Sequence, residues 1–320
     1  MTPMEESSSK SVTLADDLHE YFAKELIYSC HEHDGYLDSS NSKVITNEDR
    51  IALVDWCYSI ANRCKHSRDT VASAMEMVDR FLSPSKIMSS VSSDAARTSN
   101  EVRNDKFKFQ LLTVTALYVA IKINESTVVS SDLFAGICRE SHSKEDIEDM
   151  ERILLSGLSW RCRAPTALQI CQTILSLIIP HAGIPDDICD FLLDEMKDLT
   201  EVAVRDYYFS TQRPSTVAVA AILYAIRNHN KSKEQQEQAK VLEAFLSVTM
   251  DSFNFEDMER IDEAAERFNN SSSTKVSCIS VTGEKLNISG NESDETSPRS
   301  FCTTFEPPST SKRCTAKFRF

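Results

Sequence analysis

The densest run of chemistry-capable side chains in this 320-residue chain is Cys30-His31-Glu32-His33-Asp34. Thiolate, imidazole and carboxylate are zinc's ligands, but a closed site needs a second ligand cluster at a set spacing. None follows, so the run is expected to be a polar loop after a helix, and no metal is assigned. Catalytic constellations are also missing: there is no Gly-rich phosphate loop, no HExxH and no GxSxG. His19, His31, His33, His66, His142, His181 and His229 are scattered without an evident nucleophile partner. No catalytic residue and no cofactor is therefore assigned. The ten cysteines form no CxxC and no regular framework, and read as reduced thiols.

Charge narrows the partners. The formal net charge is −14, with three Lys/Arg against eleven Asp/Glu in residues 1–49 and seven against five in residues 271–320. An acidic body repels phosphate backbones, because nucleic-acid binding relies on Lys and Arg displacing counterions, so no nucleic-acid partner is expected. The longest uncharged stretch of the central helices, Leu111 to Ile121, falls well short of the roughly 20 apolar residues a bilayer needs. The opening MTPMEESSSK has no apolar signal region. A soluble chain of the nucleus or cytoplasm, with no membrane partner, is the expectation.

The elements that must position any site are helices. Gly is scarce, at six residues, and helix formers dominate, so the fold class expected is all-α. Ser-rich residues 1–11 are expected to be disordered. Leu14, Leu18, Tyr21, Phe22 and Leu26 then mark an amphipathic helix inside a segment 12–45 that ends in a loop. Thr46-Asn47-Glu48-Asp49 signals a helix start, followed by Leu53, Trp56, Cys57 and Ile60 at helical spacing. A second helix runs from about Ser67, with Val71, Met75, Val78 and Leu82 on one face and Pro84 as its stop. The Ser- and Asn-rich stretch around 85–105 reads as a long surface loop. FKFQLLTVTALYVAIKINE is apolar nearly all round, as expected of a helix enclosed by others. Shorter helices are expected near Ser130–Cys138 and Lys144–Gly157. Ala164-Pro165-Thr166 breaks the series. Helices resume over Pro165–Ile179, from Pro185 to about Tyr208, over STVAVAAILYAIRNH, and near Glu234–Val248 and Phe255–Phe268. Residues 270–320 lack apolar periodicity and are expected to be a disordered tail, in which Ser297-Pro298-Arg299 could be phosphorylated.

The series is a duplication. ALYVAIKIN (116–124) lies over AILYAIRNH (221–229) at an offset of 105, and the hexapeptide EDMERI recurs at 148–153 and 256–261, an offset of 108. Two matches of different composition at nearly one period, in the same helix order, divide the chain into units 46–163 and 164–269.

Two consecutive five-helix bundles, each round an enclosed third helix, resemble the paired cyclin boxes of the cyclin family. RIALVDW (50–56), MVDRFLS (77–83), LYVAIKINE (117–125) and MERILLSGLSW (150–160) resemble the first, second, third and fifth helices of the first box. GYL (35–37) with ITNEDR (45–50) is similar to the approach to the box in mitotic A/B-type cyclins, and the second box is the weaker match. The resemblance implies a non-enzymatic regulatory subunit that binds and activates a cyclin-dependent serine/threonine kinase in the cell cycle. It places the kinase-contacting lysine on Lys122, its partner on Glu151 and a second acidic contact on Glu125. A cation at the C-terminal end of an apolar helix suits the helix dipole, and an ammonium can donate three hydrogen bonds to partner carbonyls. Arg50 and Asp79 match an architectural ion pair between the first two helices of the box.

Departures are equally specific. The family's substrate-docking patch retains Leu53, Trp56 and Gln110, but Asp49, Ala52 and Ser59 replace a large apolar residue, a branched one and the acid. Docking of the arginine–leucine motif on protein substrates is therefore not expected. The insert near 85–105 is a second departure. A transcription-regulating cyclin would share fold and lysine–glutamate pair. A transcription factor IIB-like adaptor would show basic faces and often a zinc ribbon, which this chain lacks.

Overall fold

Side-chain caps set where the helices begin. Asp49 N–H donates to Thr46 Oγ1 at 3.3 Å while Thr46 N–H donates to Asp49 Oδ2 at 2.9 Å, a reciprocal cap that starts the first core helix. Ser143 and Asp146 form the same box farther downstream, and Asp105 and Ser130 cap the two helices between. The computed structural model describes residues 3–28, 35–37, 44–83, 93–126, 129–138, 141–182, 186–229, 240–245, 247 and 255–278. Its helices are α1 (Pro3–Tyr28), α2 (Asn47–Cys64), α3 (Asp69–Leu82), α4 (Ser93–Arg103), α5 (Lys106–Asn124), α6 (Ser131–Ile137) and α7 (Lys144–Gly157). They continue as α8 (Ala167–Ala182), α9 (Asp186–Arg205), α10 (Tyr207–Ser210), α11 (Pro214–His229) and α12 (Phe255–Cys278). The backbone at 240–245 is also helical, and no strand occurs among the described residues. The fold is all-α.

Three boundaries differ from the sequence expectation. Helix α1 begins at Pro3, not Val12, so most of the segment expected to be disordered is helical; proline suits a first helical position because the N–H it lacks would be unpaired there. Helix α12 continues past Asn269 to Cys278, which shortens the expected tail. The third difference is α4, which occupies the stretch read as a surface loop. Ala95, Thr98, Ser99 and Val102 are buried at helical spacing, and Ser99 Oγ donates to the Phe81 carbonyl at 3.0 Å. The insert thus packs into the bundle and fills space beside α3 and α7. The metal-like run 30–34, residues 279–320 and most of the Glu234–Val248 span lie outside the described residues.

Two apolar cores follow the two repeats. The first gathers α2, α3, α5 and α7 round α5, whose residues Leu112 to Ile121 are all buried. The second gathers α8, α9 and α12 round α11, buried continuously from Ser215 to Ile226. Leu18 belongs to this second core, with Leu14, Tyr21 and Phe22 packed against it, so α1 rests on the distal repeat. Glu25 is buried and accepts from the Ser215 amide, capping the start of α11 with a side chain from α1. The twin hexapeptides do not face the same way: Met150 is 5% exposed and Met258 37%. Helix order is what the repeat preserves; the identical letters sit in different registers.

Candidate functional site

Lys122 and Glu151 stand on different helices. Lys122 lies in the last turn of α5, and Glu151 in the middle of α7, packed alongside. The Lys122 ammonium donates to Glu151 Oε1 at 2.6 Å and sits 4.7 Å from the centre of the Tyr118 ring, one helical turn earlier. Partial burial opposes the charge, but the Glu151 carboxylate and the Tyr118 hydroxyl outweigh it and hold the lysine above its ordinary pKa. The ammonium is therefore charged at neutral pH. The Lys122 side chain is 40% exposed and that of Glu151 16%, so the carboxylate orients an ammonium that solvent still reaches.

Glu125 is committed elsewhere. Its carboxylate accepts from the Ser67 amide at 2.9 Å and from Thr70 Oγ1 at 2.5 Å, with His66 Nδ1 at 3.6 Å. It ties the end of α5 to the turn that starts α3, and that is its architectural task here.

Arg50 and Asp79 do meet. Arg50 Nη2 donates to Asp79 Oδ2 at 2.6 Å and Nε to Oδ1 at 3.1 Å, with the arginine 1% exposed. Burial works against this charge, yet Asp79 and Tyr36 hold the guanidinium above its ordinary pKa. Tyr36 hydroxyl donates to Asp79 at 3.0 Å, and burial pushes that phenol well up. The pair reaches farther than the two helices expected. Arg50 Nη1 also donates to the Val204 carbonyl at 2.7 Å and the Arg205 carbonyl at 3.3 Å, the unpaired carbonyl end of α9. Tyr207 hydroxyl accepts from the Leu37 amide at 3.0 Å and its ring meets Tyr36 edge-on.

Sequence reasoning missed a second junction. Tyr58 is buried between two guanidiniums, Arg68 at 4.4 Å and Arg205 at 5.0 Å from its ring centre. Arg68 of the first repeat pairs with Glu201 of the second, and Arg205 of the second pairs with Asp55 of the first at 2.6 Å. No sequence signal joins these residues, since the partners lie more than a hundred positions apart.

Two of the docking-patch candidates are turned away from solvent and the third, Trp56, is half-buried. Leu53 is fully buried, Gln110 is 6% exposed and Trp56 packs partly against the core, because the apolar stripe of α2 is its core-facing stripe. Asp49, which stands where the family has an apolar residue, is held by Lys106 at 2.7 Å.

The described residues contain no group of three or more His, Cys, Asp or Glu that could hold a metal ion, and no helix long and apolar enough to cross a membrane. Comparison with known proteins adds identity to this geometry. Residues 17–163 match the family described as Cyclin, N-terminal domain. The chain is 27% identical over 203 residues to S-phase entry cyclin-5 of Saccharomyces cerevisiae, covering 63% of this chain and 41% of that protein. It is 28% identical over 187 residues to G2/mitotic-specific cyclin-B of Arbacia punctulata, covering 58% and 39%. The matched region thus spans less than half the length of these relatives. Among solved structures, a viral cyclin from herpesvirus saimiri superposes with a TM-score of 0.56 at 12% identity, over 79% of this chain and 97% of that one. That likeness is one of fold.

Proposed function

Because residues 17–163 match the family described as Cyclin, N-terminal domain, we propose that the chain is a cyclin, the activating subunit of a cyclin-dependent serine/threonine kinase in cell-cycle control, docking through Lys122. The observation that carries this reading is the 2.6 Å pairing of a solvent-reached Lys122 ammonium with Glu151. An isolated surface pair of this kind adds little stability, so its use lies in presentation: Glu151 fixes an ammonium that has donors left for backbone carbonyls of a partner. Exposed apolar side chains near the same helix support an interface. Trp160, just past the end of α7, is 75% exposed, and Leu26 and Ile27 of α1 are 66% and 52% exposed. Arg161 reaches the Ile27 carbonyl at 3.5 Å, so these apolar segments adjoin.

Affinity purification of the full chain from cell extract tests the reading. Wild type should recover a protein kinase identifiable by mass spectrometry, and Lys122→Glu should not, with its helical circular dichroism unchanged. Equal recovery by both, or no kinase with either, overturns it.

A further inference from the structure

A cleft of about 380 Å³, open to solvent, lies between the two repeats, with α3 on one side and the start of α8 and the end of α9 on the other. Most charges on its walls are answered. Arg50 pairs with Asp79, Arg80 with Glu76 at 3.0 Å, Arg68 with Glu201, and Lys197 with Asp194 at 2.9 Å. Asp69 is different. Among the described residues no cation pairs with it, and its carboxylate accepts only from Thr166 Oγ1, at 2.9 Å. Burial pushes its pKa up to about 6, so at neutral pH the fold keeps a carboxylate with no cationic side chain beside it, favoured only by Thr166 and by its place in the first turn of α3. Such a defect persists where the group serves a purpose other than stability. Beside Asp69 the cleft is apolar, lined by Ala72, Met75, Leu168 and Phe209. Its volume falls within the roughly 300–1,000 Å³ of ordinary ligand sites.

We propose that this cleft is a docking site for an arginine-bearing peptide segment of a partner protein, with Asp69 as counter-ion to the guanidinium and the apolar lining as seat for the neighbouring side chain. Charge complementarity selects a cation, since one carboxylate stands unanswered among balanced pairs. Arginine suits it better than lysine, because the guanidinium is more weakly hydrated and offers a planar fork to a carboxylate. The inference is independent of the kinase reading, for it uses neither Lys122 nor Glu151.

The test titrates the full chain, carrying ¹³C-methyl methionine, with Nα-benzoyl-L-arginine amide and with its neutral isostere Nα-benzoyl-L-citrulline amide. The arginine probe should move the Met75 methyl resonance and bind at least tenfold more tightly than the citrulline probe. Asp69→Asn should erase that preference while leaving kinase recovery unchanged. Lowering the pH from 7 to 5 should weaken the arginine probe more in wild type than in Asp69→Asn: Tyr58 and Cys171 are pushed upward by burial and stay neutral, while Glu76, also raised by burial but paired with Arg80, is common to both proteins. Leu168→Arg, which places a guanidinium in the cleft, should block the probe. Equal binding of the two probes, full affinity in Asp69→Asn, or no Met75 shift at millimolar probe overturns the proposal.

Discussion

Arg50 lies 2.7 Å from the carbonyl oxygen of Val204, so one guanidinium both closes the α2–α3 pair with Asp79 and caps α9 of the other repeat. Removing it leaves Asp79 buried without its charge partner and the end of α9 without a donor. Arg50→Met is expected to cost roughly 3–5 kcal/mol in urea or guanidinium unfolding. Arg50→Met combined with Asp79→Leu should recover much of that loss, because no charge is then left stranded. A double variant no more stable than the single one would refute this account.

Gly157 faces the ring of Phe81. A methyl group there would meet Phe81 carbons at 2.5 and 2.8 Å and Ala95 Cβ at 3.3 Å. Alanine is the better helix former by about 1 kcal/mol, yet the Phe81 ring of α3, with Ala95 of α4 beside it, leaves no room for it. Gly157→Ala is therefore predicted to destabilise by about 1–3 kcal/mol. A gain in melting temperature would contradict the packing described.

Two buried groups titrate against each other. The folded pKa of Asp69 is raised to about 6, so its contribution to stability is full below the unfolded carboxylate value and is lost as pH rises through 6. His142 is buried with both ring nitrogens unpaired, its ring 4.4 Å from that of Phe107, and burial lowers its pKa to about 4 against the small opposing pull of Asp146. Its contribution is full above the unfolded histidine value and is lost as pH falls through 4. Between about pH 4 and 6 the two slopes have opposite sign and oppose one another. Asp69→Asn should make stability rise with pH more steeply than wild type, by up to about 1.4 kcal/mol per pH unit, and His142→Leu should do the reverse. Denaturant midpoints at pH 4, 5 and 6 decide it; slopes shifted in the same direction by both variants would be fatal.

Substrates bearing an arginine–leucine motif should gain little from docking on α2. With Leu53 fully buried and Asp49 held by Lys106, no open apolar patch flanked by a free acid is offered there. Phosphorylation rates by the reconstituted kinase complex, measured with and without the motif, should differ by less than about threefold, under 1 kcal/mol. A tenfold motif-dependent gain would count against this.

How much was legible beforehand varies by element for physical reasons. Helices α5 and α11 announce themselves, since a run apolar on every face can only be enclosed. Helix α4 does not, because its buried face consists of Ala95, Thr98, Ser99 and Val102, and two hydroxyls hide the helical period. Lys122 and Glu151 are 29 positions apart, and only the family resemblance juxtaposes them ahead of coordinates. For Glu125 the sequence does not reveal that Ser67 and Thr70 engage its carboxylate, because those partners lie 58 and 55 positions away. The inter-repeat contacts of Arg50, Arg68 and Arg205 are invisible in a linear reading, since each joins residues whose proximity exists only after both cores have formed.

The clasp between Glu25 and the Ser215 amide has a consequence for biosynthesis. Helix α1 is synthesised before α8 and α11, the helices whose surface its apolar face is matched to. Throughout translation of the intervening repeat that face has no cognate partner, and it must wait until the distal repeat emerges and α8 and α11 can close on it.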